Sequence, residues 1–233
     1  MTYTIVARCP KTKALGVGIA TYSLGVGGYC PFLARGIAAL STQAFANPTL
    51  GPIAVQALQD GRNSDNVLRL LAGSDPGFSY RQVAIVGADG TVAMHTGDNC
   101  RVYAGHAVGD GYAAFGNLLA GEHVVSAIAN SFETSKGQRL DDRLMQALEA
   151  GRDSGGQTGD DSANLAERSA ALIVQGADIV EDINLRVDLH DDAVTELRRV
   201  HTSYAPYLSY YQLRARNPEN TPAQDVWARE NLA

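Results

Sequence analysis

The chain has 233 residues, 45% of them hydrophobic and 19% charged, with a formal net charge of −6 at pH 7. That length buries a substantial core, and an acidic balance without any gathering of Lys and Arg argues against a nucleic-acid partner. No apolar run reaches the roughly 18 residues of a membrane span, and the opening lacks the basic-then-apolar order of a secretion signal, so no membrane association and a cytoplasmic location are expected.

Met1-Thr2-Tyr3-Thr4-Ile5-Val6-Ala7-Arg8 is dense in β-branched and aromatic residues and reads as a strand. Pro10-Lys11-Thr12-Lys13 reads as a turn and Ala14 to Ala20 as the returning strand of a hairpin. Gly25-Val26-Gly27-Gly28 invites a dinucleotide-loop reading, but no amphipathic helix follows and Ile37 to Gln43 looks like another strand. No cofactor is expected.

Two helices come next: Pro52 to Asp60, with Ile53, Ala57 and Leu58 on one face, and a helix capped by Ser64 that carries Val67, Leu68, Leu70 and Leu71 to Gly73. Strands then flank Asp89-Gly90, over Gln82–Val86 and Thr91–Thr96, with one more at Tyr112–Leu118. A second helical pair spans Glu122–Glu133, with Val124, Val125, Ile128 and Phe132 inward, and Leu140–Ala150, with Leu144, Ala147 and Leu148 inward. The polar, Gly-rich stretch Arg152–Glu167 reads as a surface loop. Strands return at Ser169–Val174 and Asn184–Leu189, before a helix with Asp191 and Asp192 at its positive end and Arg198 and Arg199 near its negative end.

Strands whose alternating faces are both apolar must be covered twice. The order strands, helix pair, strands, helix pair, strands, helix therefore predicts an α+β fold, a four-layer αββα sandwich of two mainly antiparallel sheets. The expected domain spans residues 1–201. Residues 202–233 form a Tyr-rich extension, in which Thr221-Pro222-Ala223-Gln224 fits a capping box opening a short helix with Trp227. An aromatic extension of this kind fits an oligomer contact as well as packing on its own body, and a homodimer is expected.

The opening Thr2-Tyr3-Thr4-Ile5-Val6-Ala7 resembles the first strand of the N-terminal-nucleophile hydrolases, the superfamily that includes proteasome subunits. More specifically, the chain resembles the family catalogued as domain of unknown function 1028. The matching segments are Thr2 to Ala7, Thr42-Gln43-Ala44-Phe45-Ala46-Asn47-Pro48, Arg81-Gln82-Val83, His95-Thr96-Gly97, Gly116 to Gly121 and Arg186-Val187-Asp188. The resemblance covers roughly residues 2 to 200 and implies the same αββα fold. It departs after Gly155-Gly156, where Gln157 stands in place of the family's Asp and the loop is longer, which bears on substrate choice if that loop lines the site.

If Met1 is removed, Thr2 carries a hydroxyl nucleophile and an α-amine that titrates near pH ~7.7 to 8, so one residue supplies nucleophile and base. Polar residues in doubly covered strands need partners or a function. Thr21, Gln43, Asn47, His95, Thr96 and Asn117 are therefore candidate substrate-binding residues, each of which is equally readable as a satisfied structural group, with Asn47 a helix cap and His95 bonded to a backbone carbonyl. Thr4 joins them because it shares a face with Thr2. Expected is hydrolysis of an amide in a small peptide or acyl-amino substrate, with Asn47, Asn117 or backbone N–H groups at the oxyanion. The alternative is a non-catalytic small-metabolite-binding protein on the same scaffold with Met1 retained.

A Cys30 nucleophile lacks any supporting His or Asp spacing. Cys9, Cys30 and Cys100 suit reduced thiols, and the five histidines make no metal-ligand spacing, so no metal is expected.

Overall fold

A computed structural model describes residues 1–159 and 163–232. The opening hairpin forms as expected, β1 (Thr2–Arg8) pairing antiparallel with β2 (Leu15–Thr21) so that Thr2 faces Thr21 across the ladder. β1 also pairs with β8 (Tyr112–Asn117), which sets Thr2 opposite Asn117. β11 (Ser169–Gln175), β12 (Ile183–Val187) and β7 (Gly105–Gly109) complete a six-stranded sheet in the order β12-β11-β2-β1-β8-β7.

The second sheet runs β3-β4-β5-β6, from β3 (Pro31–Ala34), β4 (Ala38–Ala44), β5 (Arg81–Gly87) and β6 (Val92–Thr96). Helices α1 (Leu50–Gln59) and α2 (Ser64–Ser74) cover its outer face, and α3 (Glu122–Thr134), α4 (Leu140–Asp153) and α5 (Ala193–Tyr204) cover the outer face of the six-stranded sheet. The layers are therefore αββα, with three apolar cores between them.

Strand alternation sorts β1 cleanly. Tyr3, Ile5 and Ala7 pack under α3 and α4, while Val6 joins Val17, Ile19, Ala84 and Phe115 between the sheets. Thr2 and Thr4 share the inter-sheet face with Val6.

Several local expectations are corrected. The first helix begins at Leu50, which rotates the buried stripe to Leu50, Ala54, Ala57 and Leu58, and Ile53 is left 37% exposed. Gly51 in that stripe lies flat against the Phe32 ring, where a Cβ would collide at 2.4 Å. Asn63, not Ser64, caps α2, its side chain accepting from Asn66 N at 2.9 Å. The stretch 152–167 is not wholly a surface loop: α4 continues to Asp153, Gln157 and Glu167 are buried, and β9 (Gln157–Thr158) pairs with β10 (Asn164–Leu165). Residues 160–162 of that stretch lie outside the described residues. The last strand closes at Val187, leaving Leu189 exposed.

Asp192 caps α5 as its position suggests, accepting from Thr195 N, whereas Arg198 of α5 binds Glu149 of α4 and Arg199 binds Glu196. α5 passes through residues 201 and 202 without a break and leads into α6 (Leu208–Arg216) and α7 (Gln224–Asn231). No capping box opens α7: the Thr221 hydroxyl donates to Asn217 O instead. The extension lies on its own body, with Leu208 buried among the α4–α5 core residues and the Tyr210 hydroxyl donating to Pro222 O. No helix among the described residues is long and apolar enough to cross a membrane.

Candidate functional site

The end of β1 brings together groups from both sheets. Thr2 is 6% exposed, and its Oγ1 donates to Met1 O at 2.6 Å and lies 3.0 Å from Thr21 Oγ1. Thr21 Oγ1 also donates to Met1 O and accepts from Ser23 N. Two hydroxyls from paired strands thus converge on one carbonyl oxygen, the acyl group of the Met1–Thr2 peptide.

Beside this pair lies a pocket of about 150 Å³ bounded by Met1, Ala44, Phe45, Arg101, Asn117 and Leu118. Ala44 and Leu118 both hold left-handed backbone, with φ of 73° and 51°. Such conformations disfavour a side chain and are concentrated where surrounding structure enforces them, often at functional sites. At the mouth, Phe45 is 46% exposed and meets Tyr80 edge-on with centroids 5.5 Å apart, and Arg101 Cζ stands 5.6 Å over the Phe45 ring. Burial, and after it the Arg101 guanidinium, pushes the Met1 ammonium down to about 6.

Beneath the pocket a buried polar network joins the sheets. Thr4 Oγ1 donates to Gln43 Oε1. Gln43 Nε2 donates to Gln82 Oε1 at 3.1 Å and reaches Thr2 O at 3.5 Å. Asn117 Nδ2 donates to the same Gln82 oxygen at 3.0 Å, and Gln82 Nε2 donates to Gly116 O at 2.8 Å and Thr96 Oγ1 at 3.2 Å. Thr96 Oγ1 in turn bonds His106 Nδ1 at 2.9 Å. Gly116 permits this closeness, because a Cβ there would stand 2.8 Å from Thr2 O.

Of the sequence candidates, Thr2, Thr21, Gln43, Thr96 and Asn117 gather at or beneath the pocket. Thr4 is fully buried in the network below it. Two candidates lie elsewhere: His95 takes the structural role open to it from the sequence, whereas Asn47 does not cap α1, whose N-cap is Thr49. His95 points to the helix side of its sheet, where it stacks on Phe78 at 4.2 Å and bonds Phe78 O. The Asn47 side chain is held by the turn into α1, accepting from Thr49 and donating to Asp75.

Gln82 and His106 escaped the sequence reading. The register pairs Gln82 with Gln43, so two glutamines facing each other across paired strands were the available signal. The Cys30 thiol is buried and pushed up to about 12, which holds it protonated and unreactive at neutral pH. Asp141, Asp142 and His201 cluster within 4.8 Å, a spacing that could hold a metal. Their charges are already matched, however: Asp141 is bonded by His201 and Arg139, and Arg198 abuts the other His201 nitrogen.

Comparison with solved structures places the chain beside a crystal structure of a Silicibacter pomeroyi protein assigned to family-model DUF1028, at 26% identity and TM-score 0.77, covering 88% of this chain and 89% of that one. Two Anbu (ancestral beta-subunit) structures also match: one from Yersinia bercovieri, with TM-score 0.39, 11% identity and 92% and 97% of the two chains covered, and a mutant from Hyphomicrobium sp. strain MC1, with TM-score 0.40, 12% identity and 93% and 97% covered. No curated protein matches the sequence. The model of the family of unknown function DUF1028 matches residues 2–197, and the chain belongs to that family.

Proposed function

We propose that this member of the DUF1028 family is an amide-bond hydrolase whose nucleophile is Thr2, freed by removal of Met1. The observation that carries the reading is the placement of Thr2 Oγ1 at the inter-sheet end of β1, 3.0 Å from Thr21 Oγ1 and next to a small pocket flanked by left-handed Ala44 and Leu118. The αββα layering resembles that of the N-terminal-nucleophile hydrolases. Because a fold hosts many functions, the weight rests on this site.

In the reaction, the freed α-amine takes the Thr2 hydroxyl proton as Oγ1 attacks the substrate carbonyl carbon. The amine leaving group departs with that proton, and water hydrolyses the resulting ester to regenerate the hydroxyl. Asn117 or backbone N–H groups beside it are the donors for the oxyanion, each worth roughly 3 to 4 kcal/mol when well placed. Burial and then Arg101 lower the neighbouring Met1 ammonium, and the same surroundings would favour the neutral form of an amine on Thr2. A small peptide or acyl-amino compound suits the pocket, with Phe45 offering an apolar wall.

Screening small amide and ester substrates against Thr2→Ala tests this. Turnover should be abolished in the variant, and full turnover by a folded Thr2→Ala protein ends the proposal. Retention of Met1 in the native host would favour the second reading, a metabolite-binding protein, because Met1 itself bounds the pocket.

A further inference from the structure

At the far end of β1 from Thr2, about 20 Å away at roughly 3.3 Å per residue, a cavity of about 670 Å³ opens on the helix-covered side of the six-stranded sheet. Its walls come from Arg8 and the β1–β2 turn, the corner between α3 and α4, the β11–β12 connection, and Leu208 and Gln212 of α6. The volume is in the range of small-molecule sites, about 300 to 1,000 Å³.

Arg143 of α4 stands in this wall, 5% exposed. Its guanidinium lies 3.7 Å over the Phe132 ring and Nη2 donates to Phe132 O at 2.7 Å, yet the buried Nε has no hydrogen-bond partner. Arg8 borders the same cavity, but its guanidinium reaches the β5–β6 turn, where Nη1 would stand 3.0 Å from a Cβ on Gly90 and Asp89 is close by. Glu133, which pairs with Lys136, also draws on Arg143, and the wall itself carries Asp110, Asp141 and Glu181. Asp141 is bonded by Arg139 and His201, and Glu181 faces Arg216 at 3.6 Å. A buried cation is unfavourable unless it is paired and fully hydrogen-bonded, and Arg143 is left with an unpartnered N–H in the cavity wall.

We propose that this cavity binds a small amphipathic organic anion, a carboxylate or phosphate monoester, whose charge is met by Arg143 and whose apolar body lies on Phe132, Leu140 and Val174. Guanidinium groups match both oxyanions by charge-assisted hydrogen bonds. Lys11, Lys136 and Arg139 make the surrounding wall basic against the net negative charge of the whole chain. One wall, Leu208 and Gln212, belongs to the extension beyond the matched residues 2–197, so the family domain and this chain's own tail build the site together.

Isothermal titration of the full chain with phenylacetate, phenyl phosphate and neutral 2-phenylethanol tests the proposal. At least one anion should bind one per chain, and the neutral analogue should bind roughly tenfold or more weakly, as loss of one charge-assisted hydrogen bond dictates. Which of the two anions binds tighter distinguishes carboxylate from phosphate recognition. Arg143→Met should weaken the preferred anion by a similar factor. Gln212→Trp, which fills the cavity from α6 and leaves the α4 sequence unchanged, should do the same and decides the matter if Arg143→Met does not fold. No binding by either anion, equal affinity for 2-phenylethanol, or binding unchanged in folded Gln212→Trp would overturn the assignment.

Discussion

Thr2 and Gln82 show how differently two buried polar residues can be used at one strand end. Thr2 Oγ1 donates to Met1 O and lies beside one neighbouring hydroxyl, so removal of Met1 would release it next to the small pocket that Met1 bounds. The base in that reaction must be a neutral amine. kcat/KM should therefore fall on acidification as the Thr2 amine becomes protonated, and a pH–rate profile with no acidic limb would contradict it. Gln82 is fully saturated: its oxygen accepts from Gln43 and Asn117, and its nitrogen donates to Gly116 and Thr96. Gln82→Ala should destabilise the fold by about 2 to 4 kcal/mol, since each buried group left unpartnered costs roughly 1 to 3 kcal/mol. A melting-point loss of roughly 2 to 4 °C per kcal/mol would register it. From the sequence, Thr2 stood out because its position at a chain end gives it a second functional group. Gln82 did not, because a glutamine in a strand acquires meaning only when the register sets it against Gln43.

Elements with a strong period were legible, and those defined by an edge were not. The α3 and α4 faces match their expected residues because Val124, Val125, Ile128 and Phe132 repeat at helical spacing over three turns. β3 begins with Pro31 and has four residues, and β7 is half-exposed with a glycine at each end, so neither carries a strand signature even though both are paired at sheet margins. The connection from β4 to α1, which presents Phe45 at the pocket mouth, is tied down by Asp75 and Arg81: Arg81 Nε meets Asp75 Oδ2 at 2.9 Å, and Arg81 Nη1 donates to Phe45 O. Hydrogen bonding from Arg81 holds the Asp75 carboxyl below the usual carboxylate range. Its folded pKa is therefore below its unfolded one, and the stability it contributes is present above about pH 4 and lost as pH falls through the folded value. Asp75→Asn should cost about 1.5 to 3 kcal/mol at pH 7. Denaturant titrations should show the gap to the unsubstituted protein closing on acidification, and a gap independent of pH would refute the assignment.

For the whole molecule, the αββα layering was readable because each strand run is apolar on both faces and the helices come in pairs between strand groups. Where the chain end would sit was not readable, since the pocket is assembled from Met1, the end of β4, Arg101 ahead of β7 and the end of β8. The extension illustrates a similar limit. Its tyrosines fitted a partner contact and packing on the chain's own body equally well; Leu208 is buried in the chain's own core, and Tyr207, Tyr210 and Tyr211 cluster with one another and with Trp227. The homodimer remains a proposal that light scattering tests directly: twice the 24.7 kDa chain mass supports it and the single chain mass removes it. The central claim is chemical, and intact-mass analysis of protein made in its native host addresses it at the source. The account predicts a chain that begins with Thr2 and gains one acyl group there on brief exposure to an activated ester. A chain that still carries Met1, or an acyl group found elsewhere, would contradict it.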